Sequence, residues 1–145
     1  MTHFAHYVTL SNGLKQPLFG LGMLANKDEL KTNIKTAIDA GYRCIGTTWY
    51  YGNESLIGEI LEEIYKSGKV KREDISITSK FPPHFSEPSL IEKTVLQQLK
   101  DLRTDYIDLY LLHSLCPVKA STEAEMNGKQ AVLDLTSHIQ TWTVQ

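Results

Sequence analysis

A parallel α/β fold is what this sequence predicts, on three observations. Four short apolar segments, centred near residues 20, 45, 78 and 109, have the alternation or β-branched content of strands. A single helical stripe lies between each successive pair. The repeat of about 25 to 33 residues suits a strand-plus-helix unit, since no residue signature recurs from unit to unit as in a solenoid. Adjacent strands joined by one helix run parallel, with right-handed crossovers.

The elements follow in order. Tyr7-Val8-Thr9-Leu10, Ser11-Asn12-Gly13 and Leu14-Lys15-Gln16 read as a small hairpin. Asn-Gly suits the positive φ angles of tight hairpin turns, and Pro17 confines the second arm to an edge. Phe19-Gly20-Leu21-Gly22-Met23 is a short, glycine-rich strand. Asn26 with Glu29 three residues on resembles a capping box, opening a helix with Leu30, Ile34, Ala37 and Ile38 on one face and Gly41 as its stop. Tyr42 to Thr48 is the next strand. Leu56, Ile57, Ile60, Leu61 and Ile64 form a second helical stripe, closed by Gly68. Ile75 to Phe81 alternates as a strand. Ser86 or Ser89, near Pro88, opens a third helix bearing Ile91, Val95, Leu99 and Leu102, and Tyr106 to His113 is the last strand. Beyond Pro117 the chain turns polar and loses periodicity, with Thr136 or Ser137 able to cap a short final helix. This divides the chain into a hairpin over residues 1–17, four β/α units over 18–114, and a loop with a short helix over 115–145.

Composition narrows the function. The chain has 145 residues, is 41% hydrophobic, and carries 15 basic against 17 acidic side chains. One ordinary domain of that size buries a real core. The near balance of charge aims no strong field at nucleic acid or an anionic membrane. Lys66, Lys69, Lys71 and Arg72, with no aromatic interleaved, read as a solvated loop. The two cysteines, Cys44 and Cys116, have no paired spacing, so neither a disulfide framework nor a metal clamp is expected. No apolar run approaches the ~18 residues of a membrane helix, and the first residues do not read as a secretory signal. A cytoplasmic setting is expected.

The polar residues at strand ends carry the chemistry. The second strand runs into Thr47, Thr48, Trp49, Tyr50 and Tyr51; the third ends at Lys80; the fourth ends at His113. In parallel α/β folds the C-terminal strand ends converge on one face, where ligands bind. A phenol, an ammonium and an imidazole gathered there suit proton transfer to a carbonyl oxygen. The phenol titrates near 10, and a cation about 4 Å away stabilises its phenolate by roughly 4 kcal/mol at an effective dielectric of about 20. The imidazole holds the substrate oxygen in line. Each residue also has a plainer reading: Tyr51 packing a loop, Lys80 snorkelling from a strand end, His113 as a core histidine.

Longer stretches point to a family. Gly41-Tyr42-Arg43-Cys44-Ile45-Gly46-Thr47-Thr48, then Tyr51-Gly52-Asn53-Glu54 and Ile57-Gly58, is similar to the first signature of aldo-keto reductases. Arg72 to Lys80 resembles that family's lead into its third strand, and Asp105 to His113 its fourth. Asn12-Gly13 through Gly20-Leu21-Gly22 resembles the hairpin plugging the barrel bottom and the first barrel strand. The resemblance covers roughly Leu10 to His113. It implies an incomplete (β/α)8 TIM barrel, its first four units preceded by a hairpin, and a reductase moving hydride from NADP(H) to a small-molecule aldehyde or ketone. It implies that Tyr51 is the general acid, Lys80 lowers its pKa and His113 orients the carbonyl. By the same resemblance Trp49 and Tyr50 line the substrate pocket, while Gly22 and Met23 let backbone approach the nicotinamide.

The sequence also departs from that pattern. An aspartate expected five residues before the tyrosine is Gly46 here, which removes a partner for Lys80. Ser114-Leu115-Cys116-Pro117 replaces the tryptophan and proline that usually follow the histidine, and Cys44, expected to be a buried strand residue, replaces a common histidine. Four strands do not close a barrel, so weak or no NADPH binding by this chain alone is expected. The alternative is an inactive half-barrel acting by association with another chain, and self-association of two halves would close eight strands. A doubly wound dinucleotide domain built on Gly20-Leu21-Gly22 lacks the third glycine of its fingerprint.

Overall fold

The computed structural model describes residues 6–82 and 88–114. The expected loop and helix over 115–145, Cys116 and the Ser86 cap lie outside them.

A two-stranded antiparallel hairpin comes first, with β1 (Tyr7–Thr9) paired to β2 (Lys15–Pro17). Only Gly13 of the turn takes a positive φ, 84°, while the Asn12 side chain accepts from the Leu14 amide. Asn12 thus contributes a side-chain acceptor, not the second positive φ expected of Asn-Gly.

The remaining strands form one parallel sheet in the order β3-β4-β5-β6: β3 (Leu21–Gly22), β4 (Cys44–Gly46), β5 (Ser76–Phe81) and β6 (Leu109–Leu112). Helices α1 (Lys27–Asp39), α2 (Glu54–Lys66) and α3 (Pro88–Leu102) make the three connections. The parallel α/β expectation holds, but the strands are shorter than the apolar runs: β3 keeps two residues and β4 three. Among the described residues the sheet is an open one of four strands. No helix among the described residues is long and apolar enough to cross a membrane.

The core lies between sheet and helices. Leu30, Ile34 and Ile38 from α1 and Ile57, Ile60, Leu61 and Ile64 from α2 pack on Ile45 and Ile77, all nearly inaccessible. Burying each such side chain stabilises the fold by about 1.5–3 kcal/mol before entropy is charged. On α3 the buried stripe is Ile91, Thr94, Gln98 and Leu102, so two polar residues sit where the apolar period placed Val95 and Leu99.

Helix ends are set by backbone more than by side chains. Asn26 makes no side-chain cap bond, which corrects the capping-box expectation; its carbonyl accepts from the Glu29 and Leu30 amides instead. At the other end Gly41 (φ 98°) closes a Schellman motif, with the Gly41 amide on the Ile38 carbonyl and Tyr42 on Ala37. Arg103 closes α3 in the same way at φ 52°, and its guanidinium bonds Glu59 and Glu62 of α2.

Arg72 corrects the solvated-loop reading. Its guanidinium bonds Thr104, the carbonyls of Ile75 and Tyr106, and Asp108 at 2.8 Å, and lies over the Tyr106 ring. Only the lysines of that stretch behave as expected, paired at the exposed surface with acidic neighbours.

Helices α2 and α3 cross at Gly58, where an added Cβ would stand 2.3 Å from the Asp101 carbonyl oxygen and 2.7 Å from the Leu102 carbonyl carbon. Neither backbone can yield without moving a helix. Gly58→Ala is therefore expected to destabilise the chain by about 1–3 kcal/mol, read as a lower urea midpoint; an unchanged midpoint would show that the crossing has slack.

Candidate active site

Every residue singled out at a strand end sits at the same end of the sheet, because all four strands run the same way. Met23 follows β3, Thr47 to Tyr51 follow β4, Lys80 is the penultimate residue of β5, and His113 follows β6. Alternation then sorts the side chains. On β5, Ser79 faces the helices, where it bonds Glu54 and Gln98, while Ser76 faces the hairpin and bonds Gln16. Lys80 therefore shares the inner face with Ser76 and Thr78. On β6, Tyr110 bonds Gln98 of α3, so Leu111 and, two residues on, His113 belong to the inner face. The parallel ladder sets Lys80 opposite Leu111 and continues as the His113 amide on the Phe81 carbonyl.

Both inner-face residues bond the segment that leads to Tyr51. Lys80 Nζ donates to the Thr47 carbonyl at 3.1 Å, and His113 Nδ1 lies 3.1 Å from the Thr48 hydroxyl. A 3-10 turn, Trp49–Tyr51, follows at once, its amides returning to Thr48 and Trp49. Tyr50 sets its ring edge-on to the His113 imidazole, centroids 5.4 Å apart, and edge-on to Trp49 at 6.1 Å. Tyr51 ends the turn half-buried, and among the described residues its hydroxyl forms no hydrogen bond to Lys80 or His113. The structure thus brings Lys80 and His113 together on the stretch beside Tyr51, without a direct bond from the phenol to either.

Electrostatics follow from burial. Loss of solvent, and then the positive charge of Lys80, hold the His113 imidazole below its ordinary range, so it is neutral at pH 7. Burial pushes the Tyr50 phenol up.

At the β3 end the two glycine-strand residues differ. Gly22 is exposed, with no heavy atom within 4 Å of where a Cβ would stand. Met23 has its amide on the Gly46 carbonyl, its carbonyl taken by Asn53 at 2.8 Å, and its side chain buried in the core. Open backbone at the end of β3 is therefore at Gly22, while the peptide groups of Met23 are spent inside the protein. Gly46 is hydrogen-bonded opposite Gly22 and Thr78, and the nearest atom to an added Cβ there is the Leu21 carbonyl at 3.9 Å. Space for a side chain exists beside the inner face, and this sequence leaves it unfilled.

The comparisons with known proteins agree with this layout. A family model described as the aldo/keto reductase family matches residues 17–137. The chain belongs to that family. Among curated relatives of the family, it is 39% identical over 142 residues to an NADP-dependent D-sorbitol-6-phosphate dehydrogenase of Malus domestica, covering 93% of this chain and 45% of that protein. It is 42% identical over 106 residues to an aldose reductase of Encephalitozoon cuniculi, covering 72% of this chain and 35% of that one. The solved aldose reductase structure from Schistosoma japonicum superposes with a TM-score of 0.88 at 35% identity, over 96% of this chain and 47% of that chain. The chain spans about half the length of the family members it matches. Its open sheet is accordingly part of an aldo-keto reductase barrel fold.

Three site residues had no role assigned from sequence: Thr48, Asn53 and Glu54. Asn53 clamps the Met23 carbonyl and lies 3.5 Å from the Thr47 hydroxyl. Glu54, only 4% exposed, accepts from Ser79 at 2.7 Å and from Gln98 at 3.1 and 3.2 Å, while Tyr110 donates to Gln98 at 2.5 Å. Polar residues packed into 53–54 directly after a strand-end turn are the signal for them; their partners Met23, Ser79, Gln98 and His113 lie 25 to 65 residues away in sequence and leave no local trace.

Burial raises the Glu54 carboxyl above its ordinary range, against the pull of the Ser79 and Gln98 hydrogen bonds. The folded chain therefore holds that proton more tightly than the unfolded chain. The stabilisation is fully present below the unfolded value of about 4.3 and is lost as pH rises through the higher folded value. Glu54→Gln removes the titration, so its stability relative to wild type should improve as pH rises above about 4.3, by urea midpoints. Parallel pH profiles for the two proteins would refute this.

Proposed function

We propose that this chain carries the catalytic end of an NADP-dependent aldehyde or ketone reductase, with Tyr51 as proton donor. One juxtaposition supports this above all: Lys80 and His113, from neighbouring strands, both bond the Thr47–Thr48 stretch that ends in Tyr51. In this reading the neutral His113 donates to the carbonyl oxygen and holds it near the phenol. The Tyr51 hydroxyl gives up its proton to that oxygen, and the phenolate left behind is stabilised by the Lys80 ammonium before solvent reprotonates it. NADPH, when bound, supplies the hydride that reaches the carbonyl carbon. The exposed Gly22 would take its nicotinamide end. Trp49 and Tyr50 would wall the substrate side. Relatives named as an aldose reductase and an NADP-dependent sugar-phosphate dehydrogenase support a small carbonyl–alcohol couple.

Gly46 favours a second reading, a half-barrel with weak or no turnover that acts by association. Lys80 has a neutral carbonyl as its hydrogen-bond acceptor and no carboxylate bonded to it among the described residues. Leu18, Phe19 and Leu24 around β3 and Leu111 on β6 are exposed at the two sheet edges, surfaces that a second chain would cover.

Carbonyl-dependent oxidation of NADPH by the purified chain separates the two. On the reductase reading Tyr51→Phe lowers the rate by about 10²–10⁴-fold, the worth of a general acid. An unchanged rate in that variant would remove Tyr51 from the chemistry. Gly46→Asp sets a carboxylate on the inner face beside Lys80, where there is room for it, and is expected to raise kcat by about tenfold, equivalent to about 1.4 kcal/mol of barrier. No turnover in either wild type or Gly46→Asp, with a dimer by light scattering, would support the second reading.

A further inference from the structure

We propose that Thr48 is a positioning residue whose hydroxyl fixes His113 as the Nε2–H tautomer, leaving that N–H free for a substrate oxygen. The use made of that N–H rests on the reductase reading above; the tautomer does not. Thr48 is fully buried, and its hydroxyl lies 3.1 Å from His113 Nδ1. The Tyr50 amide approaches the same hydroxyl oxygen at 3.5 Å as a donor. The oxygen is thus met by an N–H, and the hydroxyl hydrogen needs an acceptor of its own. Among the described residues the acceptor within reach is His113 Nδ1. Were Nδ1 protonated instead, two donors would face one oxygen, and the hydroxyl hydrogen would be buried with nothing to accept it.

A neutral imidazole that accepts at Nδ1 carries its hydrogen at Nε2. The ring is further fixed by Tyr50, edge-on at 90°. Burial and the Lys80 charge keep it neutral, so the tautomer question is the one that matters at pH 7. Among the described residues nothing takes Nε2. Thr48 therefore acts through His113, two bonds removed from any substrate.

The test uses the full chain labelled with ¹⁵N-histidine, in long-range ¹H–¹⁵N correlation spectra at pH 7.5, with His113 assigned by the signals missing in His113→Gln. Wild type is expected to show protonated Nε2 and bare Nδ1. Thr48→Val, which keeps the shape and removes the hydroxyl, should mix the tautomers, and Thr48→Ser should restore the wild-type pattern. Protonated Nδ1 in wild type, or an unaltered pattern in Thr48→Val, would overturn the proposal. The wild-type spectrum alone decides the tautomer should the valine variant not fold. In NADPH oxidation with a carbonyl substrate, Thr48→Val should lose about ten- to a hundredfold in kcat with little change in KM, and Thr48→Ser should recover it. The spectra need no turnover, so the Nε2–H pattern in a chain without carbonyl-dependent NADPH oxidation would sink the reductase reading and leave the tautomer assignment standing.

Discussion

Strict alternation along β5, held in parallel register between β4 and β6, is the constraint on which both core and site depend. Ile77, Ser79 and Phe81 turn to the helices, and Ser76, Thr78 and Lys80 turn inward. A slip of one residue would drive the lysine into the helical layer and push Phe81, which is 1% exposed, into the cleft. The register is protected from both flanks. The Ile77 amide is bonded by the Asp108 carboxylate, and the Thr47 amide by the Thr78 carbonyl. The position of the amine beside His113 is thus a by-product of packing the opposite face.

That opposite face is not purely apolar. Glu54, Ser79, Gln98 and Tyr110 join α2, β5, α3 and β6 through one buried set of hydrogen bonds. Leaving any member unpaired there would cost more than the net worth of the bond, so the four residues hold one another in register. Burial and the neighbouring Glu54 push the Tyr110 phenol far up, and it remains a donor across the usable pH range. Tyr110 and Tyr51 are chemically alike, yet one is tied into the helical layer and the other stands at the open end of the sheet.

The order of elements, the parallel sheet and the positions of Lys80 and His113 at strand ends were legible in the sequence, because they follow from local periodicity and a polar residue breaking an apolar run. Strand lengths were less so: Tyr106 and Ile107 have the pattern of a strand, but Tyr106 is drawn off to stack with Arg72. The Asn26 cap failed because the helix start is satisfied by backbone alone. Gln98 was invisible as core, since its buried place depends on Glu54, Ser79 and Tyr110, 12 to 44 residues away, while Thr94 is buried with its hydroxyl returned to the Leu90 carbonyl one turn back. Arg72 read as surface because three of the four residues it bonds, Thr104, Tyr106 and Asp108, lie 32 to 36 residues downstream. The sites most dependent on long-range pairing, Thr48 with His113 above all, required coordinates.

Arg72 lies at the N-terminal end of the strands, remote from the residues gathered at their C-terminal ends. It fastens the entrance of β5 to the entrance of β6 while touching none of the polar groups at the mouth. Division of labour along the strand axis follows from this. Sequence change at the mouth, even at Gly46 where the resemblance expects an acidic side chain, leaves the anchoring end untouched, so such a scaffold can vary its chemistry without surrendering its shape.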